Sequence, residues 1–170
     1  TLHTVTVASP DAAQAERLGA AGYEHAALAS NYPLAEEDRA AAWQVPISFA
    51  ATSVIFMAQP GQGPNVRLIV MPDVKPPVSV DQEVLAAFYR NVLGTSVPRW
   101  AGSSTLKNGA RVQAWTFIVD DVLAARQRFL EAAIPVTFTP VRITTAYLGD
   151  HQTLALQAPD GALVQLVQGA

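Results

Sequence analysis

The sequence predicts an α+β fold in which one order of elements, β-α-β-β-β, is used twice. Three observations carry that expectation. Two segments, HTVTVASPDAAQAERLGAAG and AWTFIVDDVLAARQRFLEAAI, each run from an alternating strand through a cap into an alanine-rich helix. Each is followed by strand-length apolar runs separated by turn signals. At 170 residues, with 50% apolar and 15% charged, the chain can build one core shared by two small modules.

In the first module, residues 1–74, Thr4 to Ala8 alternate with the period of a strand. Ser9-Pro10-Asp11 then start a helix, with serine as a cap for its amide donors and proline at the first helical position. That helix is read over Asp11 to Ala21, with Gly22 suited to close it. Glu24 to Ser30 reads as a strand, Asn31-Tyr32-Pro33 as a break, and Leu34 to Trp43 as a short helix. A hairpin follows, from Ala51 to Ala58, around Pro60-Gly61-Gln62-Gly63-Pro64, and back over Val66 to Met71.

Residues 75–110 read as a connector with a helix over 81–94, capped by Asp81 and stopped at Gly94. Val84, Leu85, Phe88, Val92 and Leu93 form its apolar stripe. An isolated helix of this length is marginal in water. The stripe is therefore expected to pack against the body of the chain or against the second subunit of a homodimer. The tail TSVPRWAGSSTLKNGA reads as an exposed connection.

The second module, residues 111–170, repeats the order more cleanly. Val112 to Val119 is a strand, Asp120-Asp121 a cap, and Val122 to Ala133 an amphipathic helix ended by Pro135. Trp115, Phe117 and Val119 are expected beneath that helix, leaving Ala114, Thr116 and Ile118 on the opposite face. Val136 to Leu148 is one long strand, or two bent at Pro140. Gly149-Asp150 turns the chain into Thr153 to Gln157, and Pro159-Asp160-Gly161 turns it into Leu163 to Val167. Aligned by letter, the halves place Leu18 on Leu130 and Ala20-Ala21 on Ala132-Ala133.

Composition excludes several classes. Mean hydropathy is +0.19, yet no apolar stretch approaches the roughly 18 residues that span a bilayer. The first residues, TLHTVTVASPD, lack the basic start and long apolar region of a secretory signal. Without cysteine there is no disulfide or thiol chemistry, and a net charge of −3 with no basic cluster argues against nucleic acid. The expected protein is cytoplasmic. No Ser-His-Asp set, phosphate loop or zinc spacing stands out.

WTFIVDDVLAARQRFLEAAIPV and APDGALVQLVQ resemble the strand-then-helix opening and the closing strand of the vicinal oxygen chelate superfamily. That superfamily includes glyoxalase I, bleomycin-resistance proteins and extradiol dioxygenases. AFYRNVLG is close to a helix phrase common there, although here it lies in the connector. The resemblance implies two βαβββ modules forming a curved mixed β-sheet around a cavity, glyoxalase/bleomycin-resistance/dioxygenase-like. It also implies metal ligands, His, Glu or Gln, on the first and last strands of each module. Carried over, those positions are His3, Arg67, Ala114 and Gln165.

This set offers no carboxylate and adds a guanidinium that stays protonated, whereas hard divalent ions take carboxylates and neutral imidazoles. The expectation is therefore a cavity without the usual metal. An arginine beside histidine and glutamine suits an anion, since its fork pairs with a carboxylate through two parallel hydrogen bonds. If Leu68 holds the position instead, Arg67 faces away and that argument fails.

Two functions remain open. One is a small-molecule-binding protein for an anionic or aromatic ligand, contacted by His3, Arg67, Thr116 and Gln165. The other is a lyase, isomerase or dioxygenase, either holding a divalent metal ion on His3 and Gln165 or metal-free with His3 as acid-base. His25 and His151 flank turns and read as solvated. Trp43, Trp100 and Tyr147 read as packing, or as the walls of a pocket for a flat ligand. Glu36-Glu37-Asp38 reads as an acidic first turn favourable to a helix dipole.

Overall fold

A β-branched run in which threonine alternates with valine, Thr4 to Val7, makes Leu2–Ser9 a strand, β1, and the chain's elements follow from comparable local patterns. The computed structural model describes residues 1–25, 32–33, 52–71, 74–135, 138–145 and 149–169, with 32–33, 52–56, 138–145 and 149–150 as backbone alone. After β1 come α1 (Gln14–Ala20), β2 (Glu24–His25), β3 (Tyr32–Pro33), β4 (Thr52–Met57) and β5 (Asn65–Val70). The connector holds α2 (Gln82–Leu93) and a 3-10 turn at Ala101–Thr105. Then follow β6 (Arg111–Ile118), α3 (Val122–Glu131), β7 (Phe138–Thr145), β8 (Gly149–Gln157) and β9 (Leu163–Gly169).

One curved mixed sheet runs β2-β4-β5-β1-β6-β9-β8-β7, with β3 also paired to β4. Its two halves repeat a path. β1 lies parallel to β5, which lies antiparallel to β4. In the same way β6 lies parallel to β9, which lies antiparallel to β8. The halves meet along the antiparallel β1·β6 seam at the centre. The expected α+β fold is what the chain adopts.

Helices cover one face. Val5, Val7, Leu68, Phe117, Leu154 and Leu166 project from the strands into a core shared with Leu18 of α1 and Phe129 of α3. α3 begins where Asp121 Oδ1 accepts the Ala124 amide at 2.9 Å. α1 begins later than expected, because its polar starters are spent on turns. Ser9 Oγ accepts from the Asp11 amide at 3.0 Å, and Asp11 Oδ1 from the Ala13 amide at 2.9 Å.

Both helices end alike. Tyr23 donates its amide to the Leu18 carbonyl across Gly22, whose φ is 98°. Ile134 donates to the Phe129 carbonyl across Ala133, whose φ is 54°. Leu18 thus corresponds to Phe129 and Gly22 to Ala133. The letter matching that sets Leu18 on Leu130 is one residue out.

The connector departs from expectation in two ways. Asp81 caps α2 by accepting the Glu83 amide at 2.8 Å, and Gly94 closes it at φ 65°. Its buried positions, however, are Leu85, Tyr89 and Val92, while Phe88 and Leu93 are partly buried and Val84 is exposed. The helix is rotated so that Tyr89, rather than Phe88, sits deepest. The tail, expected to be exposed, is anchored to the first module. Trp100 is buried and donates Nε1–H to Tyr23 Oη at 2.8 Å, and Gln14 Nε2 donates to the Thr105 carbonyl at 3.1 Å. A Cβ on Gly102 would lie 2.3 Å from the Trp100 ring, so glycine is required there.

β8 is also longer than expected. Gly149 and Asp150 pair with Thr145 and Thr144 in the ladder, so they extend a strand and do not turn the chain. The helix expected over Leu34 to Trp43, with Glu36-Glu37-Asp38 and Trp43, lies outside the described residues, as does Tyr147. Among the described residues no helix is long and apolar enough to cross a membrane.

Candidate functional site

Residues directly paired across a sheet share a face, and alternate residues along a strand share it too. With Val5 and Val7 beneath the helices, Thr4 and Thr6 take the helix-free face. Thr6 stands opposite Arg67 on β5 and opposite Ala114 on β6. Thr4 stands opposite Thr116, which stands opposite Gln165 on β9. Arg67 therefore points away from the helices, and Leu68 is the residue that enters their core. Three strand spacings separate β5 from β9, about 14 Å across the sheet, and the row of Arg67 reaches β9 at Leu163, so Gln165 lies a further two residues, about 7 Å, along the strand.

All these side chains are buried. Thr116 Oγ1 donates to Gln165 Oε1 at 2.9 Å, and Gln165 Nε2 donates to Thr153 Oγ1 at 3.0 Å. The amide is held at both ends and keeps one lone pair and one N–H for another partner. Thr6 Oγ1 is buried and has no hydrogen-bond partner among the described residues. Beside this polar row lies a small apolar cluster that includes Ala8, Ile69, Met71, Ala114, Ala155 and Leu163. The face thus offers a guanidinium, a fixed amide and an apolar wall.

His3 stands apart from the row. It lies at a register irregularity between Leu2 and Thr4, and its Nδ1 is 2.7 Å from Thr4 Oγ1. Partial burial lowers its pKa by desolvation, which favours the neutral ring at neutral pH. If Arg67 corresponds to Gln165, their neighbours Thr6 and Thr116 correspond. Two residues earlier the matching pair is then Thr4 and Ala114, so His3 is one residue from the matching place.

The other histidines divide. His25 is exposed, as expected. His151, expected to be solvated, is buried, because the lengthened β8 places it in the ladder opposite Ile143 and Gly169. Alternation puts it on the same face as Thr153 and Ala155, since Leu154 and Leu156 enter the helix-side core. Ile118, assigned to the face of Thr116, is partly exposed. Trp100 is on the other side, within the helix-covered core.

Sequence reasoning missed Thr6, Thr153 and His151. A signal for each was present. TVTV sets Thr6 against two valines, and HQTLAL sets His151 and Thr153 against Leu154 and Leu156. The donor chemistry at the positions carried over is one imidazole, one amide already bonded to two threonines, one methyl group and one guanidinium. Among the described residues no group of three or more His, Cys, Asp or Glu side chains converges.

No family model matches the sequence, and no curated protein matches it. Solved structures match its fold. Methylmalonyl-CoA epimerase from Mycobacterium tuberculosis is 16% identical with a TM-score of 0.55, over 99% of this chain and 87% of that one. A single-substitution variant of the Streptomyces coelicolor epimerase, in complex with 2-nitronate-propionyl-CoA, is 16% identical with a TM-score of 0.51, over 99% and 96%. A catechol 2,3-dioxygenase is 14% identical with a TM-score of 0.52, over 99% of this chain and 40% of the dioxygenase. The chain has the fold of the vicinal oxygen chelate superfamily, to which the epimerase and the dioxygenase belong.

Proposed function

We propose that the protein binds a small molecule on the helix-free face of its sheet, without a resident divalent ion. The ligand class is a carboxylate or carbonyl group attached to an apolar or aromatic body. One observation carries the reading: the buried Arg67 shares a face with Gln165, whose amide is fixed by Thr116 and Thr153. A guanidinium presents five donors and no acceptor, so it selects acceptor groups. In a poorly solvated place it favours an anion over a second cation. The apolar cluster beside it supplies burial for the rest of the ligand. That the Streptomyces coelicolor neighbour was solved with 2-nitronate-propionyl-CoA supports a small acyl group as a further candidate on this fold.

The donor set does not fit a hard divalent ion. It contains no carboxylate, its amide oxygen already accepts a hydrogen bond, and it includes a guanidinium, which has no lone pair to offer a metal. His3, beside Thr4, is the ring nitrogen donor of the set carried over and is assigned to ligand contact.

Benzoate and its neutral counterpart benzamide test this reading by calorimetry. Arg67→Ala is expected to weaken benzoate by about 1.5–3 kcal/mol, the range for a hydrogen bond to a charged group. Arg67→Lys should recover part of that loss, because a point charge cannot reproduce the fork. Chelator treatment should leave stability and affinity unchanged. Stoichiometric zinc, nickel, iron or manganese held by His3 and Gln165 would overturn it and favour a metalloenzyme.

A further inference from the structure

Thr6 occupies the centre of the sheet, in register with both halves. Its neighbours along β1, Val5 and Val7, are fully buried valines, and it is itself 0% exposed. A valine of the same shape would suit an apolar interior better, because a buried hydroxyl without a partner costs folding free energy. Among the described residues the hydroxyl has no hydrogen bond. Its counterpart in the other half, Thr116, does have one, to Gln165. Thr6 instead stands directly beside Arg67, with only the methyl group of Ala114 opposite on the other side.

We propose that Thr6 is a second anchor for the ligand's carboxylate, shared with Arg67, while the ligand body crosses Ala114 towards the Thr116–Gln165–Thr153 row. The inference rests on the binding function proposed above and specifies its ligand. A hydroxyl donor and a guanidinium side by side can both donate to one carboxylate, which accepts at two oxygens. Ala114 matters because any larger side chain there would occupy the path between the halves. The group at this end is then a carboxylate, and a neutral amide, which must orient one N–H towards these donors, is disfavoured.

The test is Thr6→Val, which keeps the shape and removes the hydroxyl, with Thr6→Ser as the variant that keeps it. Without ligand, Thr6→Val should melt at the same temperature as the parent or higher. With benzoate it should bind about ten-fold more weakly, while Thr6→Ser stays within about three-fold of the parent. Benzamide affinity should change less than benzoate affinity. In an Arg67→Ala background, Thr6→Val should add little further loss, since the two share one group.

Unchanged benzoate affinity in Thr6→Val would overturn the assignment of Thr6. If Arg67→Ala still weakens benzoate, the binding function itself survives. A lowered melting temperature in Thr6→Val would also overturn the assignment, because it would show the hydroxyl to be structural. If the parent binds no benzoate at all, both this inference and the function it rests on fail together.

Discussion

On β5 Arg67 stands beside Thr6, and on β9 Gln165 stands beside Thr116. The second pair is bonded to itself and to Thr153, whereas the Thr6 hydroxyl has no partner among the described residues. Strand pairing is otherwise repeated in the two halves, apart from β3, which pairs with β4 in the first half. The contrast teaches that the helix-covered face and the helix-free face answer to different demands. Beneath the helices the halves carry matched apolar residues, which a shared core requires. On the free face one half supplies charge and the other a rigid neutral amide.

The largest effect should come from the matched core. Phe129 and Leu18 are both fully buried and occupy corresponding places in α3 and α1. Phe129→Ala is expected to cost about 3–5 kcal/mol and Leu18→Ala about 2–5 kcal/mol, from lost burial plus the cavity left behind. Urea unfolding measures both. A loss confined to one of them would break the equivalence, because it would leave one half outside the cooperative core.

A smaller effect should separate the helix ends. Gly22 and Ala133 hold corresponding left-handed positions, at φ 98° and 54°. An L-residue there costs roughly 1–2 kcal/mol, so Gly22→Ala should destabilise by about that much. Ala133→Gly should relieve the strain, less about 0.4–1 kcal/mol for the freer unfolded chain. The expected net gain is about 0–1.6 kcal/mol, read as a higher urea midpoint with an unchanged slope. A loss of stability in Ala133→Gly would mean that its methyl group packs better than its backbone strain suggests.

The second half is the more legible in sequence for a physical reason. β6 and α3 mix large apolar with charged residues, so period and cap are visible, and Asp121 does cap α3. α1 is alanine-rich, and alanine carries little information about which face is buried or which residue aligns with which. That is why matching by letter sets Leu18 one place away from its true partner, Phe129. On the free face, the side taken by Arg67 depends on a single choice of parity, which the pairing of Thr6 with Arg67 resolves. The missing partner of Thr6 cannot be read from sequence at all, because it depends on what stands across two neighbouring strands. His151 escapes a sequence reading because Gly149-Asp150 has the composition of a turn but lies in the ladder.

The smallest expected effect concerns titration, where the halves also differ. His3 is partly buried, and desolvation lowers its pKa from the ordinary 6.5. By the register that matches Thr4 to Ala114, its counterpart is Gln113, which does not titrate. The folded protein resists protonating His3, while the unfolded chain accepts the proton at the ordinary value. The contribution of His3 to stability is therefore complete above pH 6.5 and is lost as pH falls through the lowered folded value. Asp11 acts in a separate window. Its pKa is lowered from 3.8 to about 2, chiefly by the hydrogen bond from Asn108, then by the Ala13 amide and Arg17. Its contribution is present above 3.8 and fades as pH falls to about 2. Melting temperatures measured from about pH 8 downwards should thus show a shallow decline beginning near 6.5 and a distinct one below 3.8. His3→Gln, which copies the residue type of the second half, should abolish the first decline and leave the second in place. A first decline that persists in His3→Gln would assign it to another group.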